Sequence, residues 1–232
     1  MGKRKMYAIL DIETLTDARL ALDIAWILYD SKGNEITRHN YLVKEVVETP
    51  FFYHLLRNDR FMRDKAQYYC DALSFNSIEV VSLEEIAMAF NTMSYNYNCD
   101  IIMCAYNAAF DFETLNTNSL VYYGYNFFDD NITVLDIMVA AMSTICNTNK
   151  YVRWCNLLGF LTPKGNVKTS AEVVYRYISA NPNFIEAHHA LLDCEIESKI
   201  FFKAKAYKKK QKTHFANPVF SCPEWQAIQA RQ

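Results

Sequence analysis

The sequence predicts an α/β fold: a mixed five-stranded sheet, an antiparallel meander followed by parallel strands, flanked by helices. Three observations carry that expectation. The chain opens with three strand-like segments, two of them joined by a Gly-containing turn. Strand-like and helix-like segments then alternate along the second half, which argues for helices packed on a mixed sheet. Of the 232 residues, 51% are apolar, enough for one substantial core.

Taken in order, Met6 to Asp11, Leu22 to Asp30 and Glu35 to Lys44 read as strands, and the "DSKGNE" turn between the second and third suits an antiparallel hairpin. Residues 50–75 mix aromatic and charged residues without a clean period and are expected to be a partly helical excursion over the sheet. Ser82 followed by Glu85 marks the start of a helix running to about Met93. "CDIIMCAYN", Cys99 to Asn107, reads as a buried strand, with a helix behind it from about Ala108 to Asn118. "ITVLD" is a fifth strand and "IMVAAMSTIC" its helix, with Asp136 well placed as an N-cap. Helices near Tyr151 to Leu158 and Ser170 to Ser179 flank the Gly/Pro loop "GFLTPKGNVK". A long helix beginning at Phe184 or later ends near Tyr207. One domain over residues 1–207 and a basic tail over 208–232 is the expected organisation.

The net charge is −2, but six lysines fall between Lys203 and Lys212 and leave the rest of the chain acidic. That cluster suits phosphate steering, with Tyr207 available for stacking, and equally suits the solvated end of a helix. Seven cysteines, at 70, 99, 104, 146, 155, 194 and 222, form no CxxC pair or zinc-like spacing. Free, mostly buried thiols in a reducing compartment are expected. No apolar stretch approaches the roughly 20 residues that span a bilayer, so a soluble, cytoplasmic protein is expected, with no membrane partner.

The chemistry is concentrated in acids. Asp11 and Glu13 end an apolar strand one residue apart, so both project from one face, where like charges raise each other's pKa and lose hydration. Asp111, in "YNAAFDFETL", falls in the first turns of a helix, where the helix N-terminus favours an anion. Asp193, in "HHALLD", lies on the long helix, with His188 five residues before it. Four carboxylates from three elements suit two hard divalent cations about 3.5–4 Å apart, one activating a water and the other stabilising the leaving oxygen of a phosphodiester. Two Mg²⁺ ions, for which Mn²⁺ is an expected substitute, would turn the repulsion between Asp11 and Glu13 into attraction. His188 then suits the role of general base.

"LDIET", "YNAAFD" and "HHALLD", in this order and spacing, resemble the three exonuclease motifs of the DEDDh (DnaQ-like) superfamily. The resemblance covers roughly Tyr7 to Lys203. It implies an RNase H-like fold and 3′→5′ removal of nucleoside monophosphates. It assigns Asp11, Glu13, Asp111 and Asp193 to the metals and His188 to the base. It places Thr14 and Leu15 against the terminal nucleoside, and Asn107 and Phe110 where the second motif supports the site and the nucleic acid. Tyr106 stands where many members have His. Residues 50–75 and 150–182 match nothing general in the family, although "GFLTPKGNVKTSAEVVYRYI" resembles small phage-encoded exonucleases, which would place the protein in a host cytoplasm.

On one continuous helix His189, four residues before Asp193, shares its face, whereas His188 does not. The family pattern puts its histidine before the helix and favours His188; both remain candidates here. The leading expectation is a metal-dependent 3′→5′ exonuclease on single-stranded DNA, with a free 3′ end as partner. The same chemistry on RNA, or a catalytically retired nucleic-acid-binding module, are the alternatives. Family members are often dimers, but nothing in the sequence compels a homodimer.

Overall fold

The protein is described here from a computed structural model, over residues 4–16 and 18–208. The strands are β1 (Arg4–Leu15), β2 (Leu20–Tyr29), β3 (Glu35–Val43), β4 (Glu79–Val81), β5 (Cys99–Ala105) and β6 (Thr133–Asp136). They form one sheet in the order β4-β3-β2-β1-β5-β6. β1, β2 and β3 pair antiparallel, and β4, β5 and β6 join in parallel, so the meander and the parallel half are both present. The sixth strand, β4, goes beyond the five expected; its three residues are too few and too exposed to carry a period-2 pattern.

The helices are α1 (Lys44–Val47), α2 (Phe52–Asn58), α3 (Ala66–Ser74), α4 (Leu83–Asn91), α5 (Met93–Asn96), α6 (Ala108–Tyr123), α7 (Ile137–Thr144), α8 (Asn149–Leu158), α9 (Ala171–Ile178) and α10 (Ala190–Lys208). A short 3-10 turn, Arg63–Lys65, links α2 to α3, so the excursion over residues 50–75 is indeed partly helical. Ser82 and Glu85 make the expected reciprocal cap on α4. Among the described residues no helix is long and apolar enough to cross a membrane. Five of the six described cysteines are buried; Cys222 and the basic tail beyond Lys208 lie outside the described residues.

Alternation along β1 sorts the sheet into two cores. Met6, Ala8, Leu10 and Ile12 pack on one face with Leu22, Ile24 and Trp26 of β2 and with α4. Ile9 packs on the other with Ala25 and Ile27 of β2, α7 and α10. Asp11 and Glu13 continue the row of Ile9, on the face that α10 covers. The register between β1 and β2 slips at Glu13/Thr14, a bulge of the kind that re-aims side chains beside functional sites. Beyond the slip, Leu15 joins the same core as Ile12 although the two are three residues apart.

Asp136 ties two helix starts together. Its Oδ1 accepts from Met138 N at 2.7 Å, Val139 N at 3.3 Å and Asn107 N at 3.2 Å, and its Oδ2 accepts from Ala108 N at 3.2 Å. It is thus the N-cap of α7, as expected, and also a brace for the start of α6. Asp136→Ala strips a cap and orphans further buried donors, so it should cost about 3 kcal/mol of folding stability. Urea unfolding of the two proteins measures the difference.

Candidate active site

Three elements bring the acids together beside the C-terminal half of β1. Asp11 and Glu13 lie within β1, opposite Ala25 and Asp23 of β2. Asp111 sits in the first turn of α6, and Asp193 in the first turn of α10, both almost fully buried. α6 starts sharply because Asn107 takes a left-handed conformation, φ 65°, that Asn tolerates better than most residues.

The electrostatics show how closely these groups crowd. Burial pushes Asp11 well above the usual carboxylate range, and the charges of Glu197, Asp111, Glu13 and Asp193 push in the same direction. Burial likewise raises Asp111, with Asp136 and Glu13 adding to it. Asp193 is pushed up to about 8 by burial, then by Glu186 and Glu13. Glu13 rises less, because Lys65 offsets part of its burial cost. Asp11 Oδ2 and Asp193 Oδ1 are enclosed and accept no hydrogen bond. Potential ligand atoms of Glu13, His188 and Asp193 all lie within 4.8 Å of one another. This donor set, carboxylate oxygens with one imidazole nitrogen and two enclosed oxygens lacking a partner, fits a divalent cation.

The two histidines differ in place. α10 begins only at Ala190, so neither lies on the helix that carries Asp193. His188 has a left-handed backbone, φ 53°, lies with Glu13 and Asp193, and lines the site cavity. His189 stacks on Tyr68 with ring centroids 3.7 Å apart, and burial holds its pKa down to about 4. Burial and the Lys65 charge also lower the pKa of His188.

A cavity of about 520 Å³ opens beside the acids, lined by Glu13, Thr14, Arg19, Phe110, Lys65 and His188 among others. Of the four residues expected at the nucleoside, Thr14 and Phe110 line it. Leu15 does not: past the register slip it is fully buried in the core. Asn107 is solvent-exposed at the start of α6, with its backbone N–H held by Asp136.

No family model matches the sequence, and no curated protein is significantly similar to it. Solved structures do match in shape. A product-bound exonuclease I superimposes with TM-score 0.54 over 90% of this chain and 45% of its own, at 15% identity. Exonuclease I of E. coli in complex with a dT13 oligonucleotide gives 0.53, covering 98% of this chain and 44% of its own, at 14% identity. A moderately thermophilic exonuclease I from Methylocaldum szegediense gives 0.52, with 97% and 43% covered, at 14% identity. The fold is the RNase H-like exonuclease fold. The chain spans less than half the length of these exonuclease I chains, and the suggested phage origin finds no support among such neighbours.

Within that exonuclease fold, several groups beside the acids escaped the sequence analysis. Glu197, four residues after Asp193 on α10, is buried, and its Oε2 accepts from Tyr106 N at 3.2 Å. The i, i+4 spacing was the signal that placed it on the same face. Asp23, pushed up to about 7 mainly by burial, accepts from Tyr69 OH at 3.1 Å and from Ala190 N at 3.4 Å, the start of α10. Its signal was an acid inside the apolar run "LALDIAWIL". Glu186, also raised to about 7, and Lys65 had none. Tyr106 bonds through its hydroxyl to Thr169 O and so fixes the loop before α9. In the lysine cluster, Lys205 lies over the Tyr7 ring at 4.1 Å and donates to Ser31 O at 2.9 Å, a structural role. Tyr207 packs against the α10-side core.

Proposed function

We propose that this chain is a divalent-metal-dependent 3′→5′ exonuclease that hydrolyses the terminal phosphodiester of single-stranded DNA and releases nucleoside monophosphates. The observation that carries the proposal is the convergence of Glu13, His188 and Asp193, with the charges of Asp11 and Asp111 felt beside them, next to a cavity that Glu13 and His188 line. Exonuclease I structures that share the fold hold single-stranded DNA, which supports the choice of substrate.

In this reading Asp11, Glu13, Asp111 and Asp193 would hold two Mg²⁺ ions, and Mn²⁺ has the same preference for oxygen. Bound there, the cations supply the positive charge that acidifies water and stabilises the phosphodiester as it breaks. His188 accepts the proton of the attacking water on a ring nitrogen; its lowered pKa keeps it neutral and able to do so near pH 7. Glu186 Oε2, 3.9 Å from His188 Nδ1, stabilises the imidazolium that results. Phe110, with the Arg19 guanidinium 5.0 Å over its ring, offers an aromatic face for the terminal base, and Thr14 borders the same cavity. A base stacked on an aromatic face is read without regard to sequence, which suits an enzyme that removes every nucleotide in turn.

Incubation of the purified protein with 3′-ended DNA oligonucleotides and Mg²⁺ should release mononucleotides, with matched RNA oligomers cleaved more slowly. A folded sample that releases none from either overturns the activity, and faster RNA cleavage overturns the substrate.

A further inference from the structure

The segment from α2 to α3, which has no counterpart in the motifs, is fastened across the rim of the site. Asp59 Oδ2 accepts from Thr16 N at 2.8 Å, Tyr69 donates to Asp23 and Tyr68 stacks on His189. Between these anchors the 3-10 turn carries Lys65, whose Nζ lies 2.9 Å from Glu13 Oε2. The pair is largely enclosed, 13% and 15% exposed, unlike a solvated surface pair that contributes little. Lys65 also lines the cavity that Thr14, Phe110 and His188 border. The ammonium therefore sits on a carboxylate that a divalent cation needs, and faces the space that a phosphate would enter.

We propose that Lys65 is a positioning residue that couples cation loading to the arrival of the 3′-terminal phosphate; this rests on the nuclease reading above. With the cavity empty of anion, Lys65 holds Glu13 and competes with the cation for it. A phosphate oxygen entering the cavity gives the ammonium another anionic partner and frees Glu13. Cation and phosphate each favour the arrangement in which the pair is parted, so each strengthens the other's binding by the same factor. No other lysine or arginine borders Glu13 within ion-pair distance among the described residues, and Arg19, the other cation of the cavity wall, lies over Phe110.

The test is binding, not turnover. Metal-stripped protein is titrated with Mn²⁺ by calorimetry, and free Mn²⁺ is followed by electron paramagnetic resonance, with and without thymidine 5′-monophosphate. Wild type should bind Mn²⁺ more tightly in the presence of the nucleotide. Lys65→Met should bind Mn²⁺ alone roughly tenfold more tightly than wild type, the size of one charge-assisted pair released, and gain less from the nucleotide. Lys65→Arg should keep the wild-type coupling, and thermal melts establish that both variants are folded. If Lys65→Met binds Mn²⁺ no more tightly than wild type, or gains as much from the nucleotide, the proposal is wrong. Failure of the nuclease reading looks different: no nucleotide release by a wild-type protein whose Mn²⁺ titration still shifts with Lys65→Met.

Discussion

Asp11→Asn is expected to lower nucleotide release at least about 10³-fold while the metal-free protein melts higher, by roughly 2–4 °C. The two effects come from one cause. Asp11 is half-buried beside Glu197, Asp111, Glu13 and Asp193, and its Oδ2 is enclosed and accepts no hydrogen bond. Without a cation, each negative charge there opposes folding, and removing one relieves its neighbours. Asparagine keeps the shape, so no cavity opens to mask the gain. Turnover on a DNA oligonucleotide and scanning calorimetry with chelator present measure both. A melting point lowered as far as by a core truncation would make Asp11 a structural acid.

Asp136 marks the contrast. It is a buried acid, raised to about 6 by burial, and four backbone N–H groups point at its carboxylate. A buried carboxylate with both oxygens engaged by backbone donors holds elements together, and its loss destabilises. One with an enclosed oxygen left unpartnered, as in Asp11 and Asp193, is held in place by the rest of the fold for another purpose. Burial alone does not separate the two kinds; the count of donors does.

That distinction also shows what the sequence could reveal. The shared face of Asp11 and Glu13 follows from the period of a strand, and the strand continues through both, so the local rule held. Glu197 was equally legible, four residues after Asp193 on the same helix face, although it lies outside the "HHALLD" motif. The histidines show a local rule failing. Helical phase favours His189 only if the helix includes it, and α10 starts at Ala190, with His188 in a left-handed conformation just before. Where a helix begins depends on Asp23, a β2 residue that accepts from the Ala190 N–H, and no window of sequence around the histidines contains it. Lys65 against Glu13 and Tyr68 against His189 are of the same sort: contacts set by how the α2–α3 segment crosses the sheet. Leu15, expected at the nucleoside, lies fully buried in the core, and the register between β1 and β2 slips just before it, which no local pattern announces.

The metal-free protein should lose thermal stability as pH rises from about 6.5 to about 8.5, and Mg²⁺ should abolish most of that loss. Carboxylates in an unfolded chain titrate near pH 4, whereas Asp23 and Glu186 are held to about 7 and Asp193 to about 8. Between those limits the native state binds more protons than the unfolded one, so stability falls with rising pH. His189, held to about 4, and His188, also lowered, act in the opposite sense, because the unfolded imidazole takes up a proton below about 6.5 and the native one resists it. The two trends oppose each other in acid; above about 6.5 only the carboxylates still titrate. Each proton of difference changes stability by about 1.4 kcal/mol per pH unit, or roughly 2–4 °C for a chain of this size. Mg²⁺ favours the ionised carboxylates and competes with protons for them, so its stabilisation should be largest at the alkaline end. Melting curves at three pH values, with chelator and with Mg²⁺, decide the matter. A chelated protein whose melting point stays level or climbs across this range, or a Mg²⁺ effect that does not grow with pH, would mean that these acids do not share their charge around a cation site.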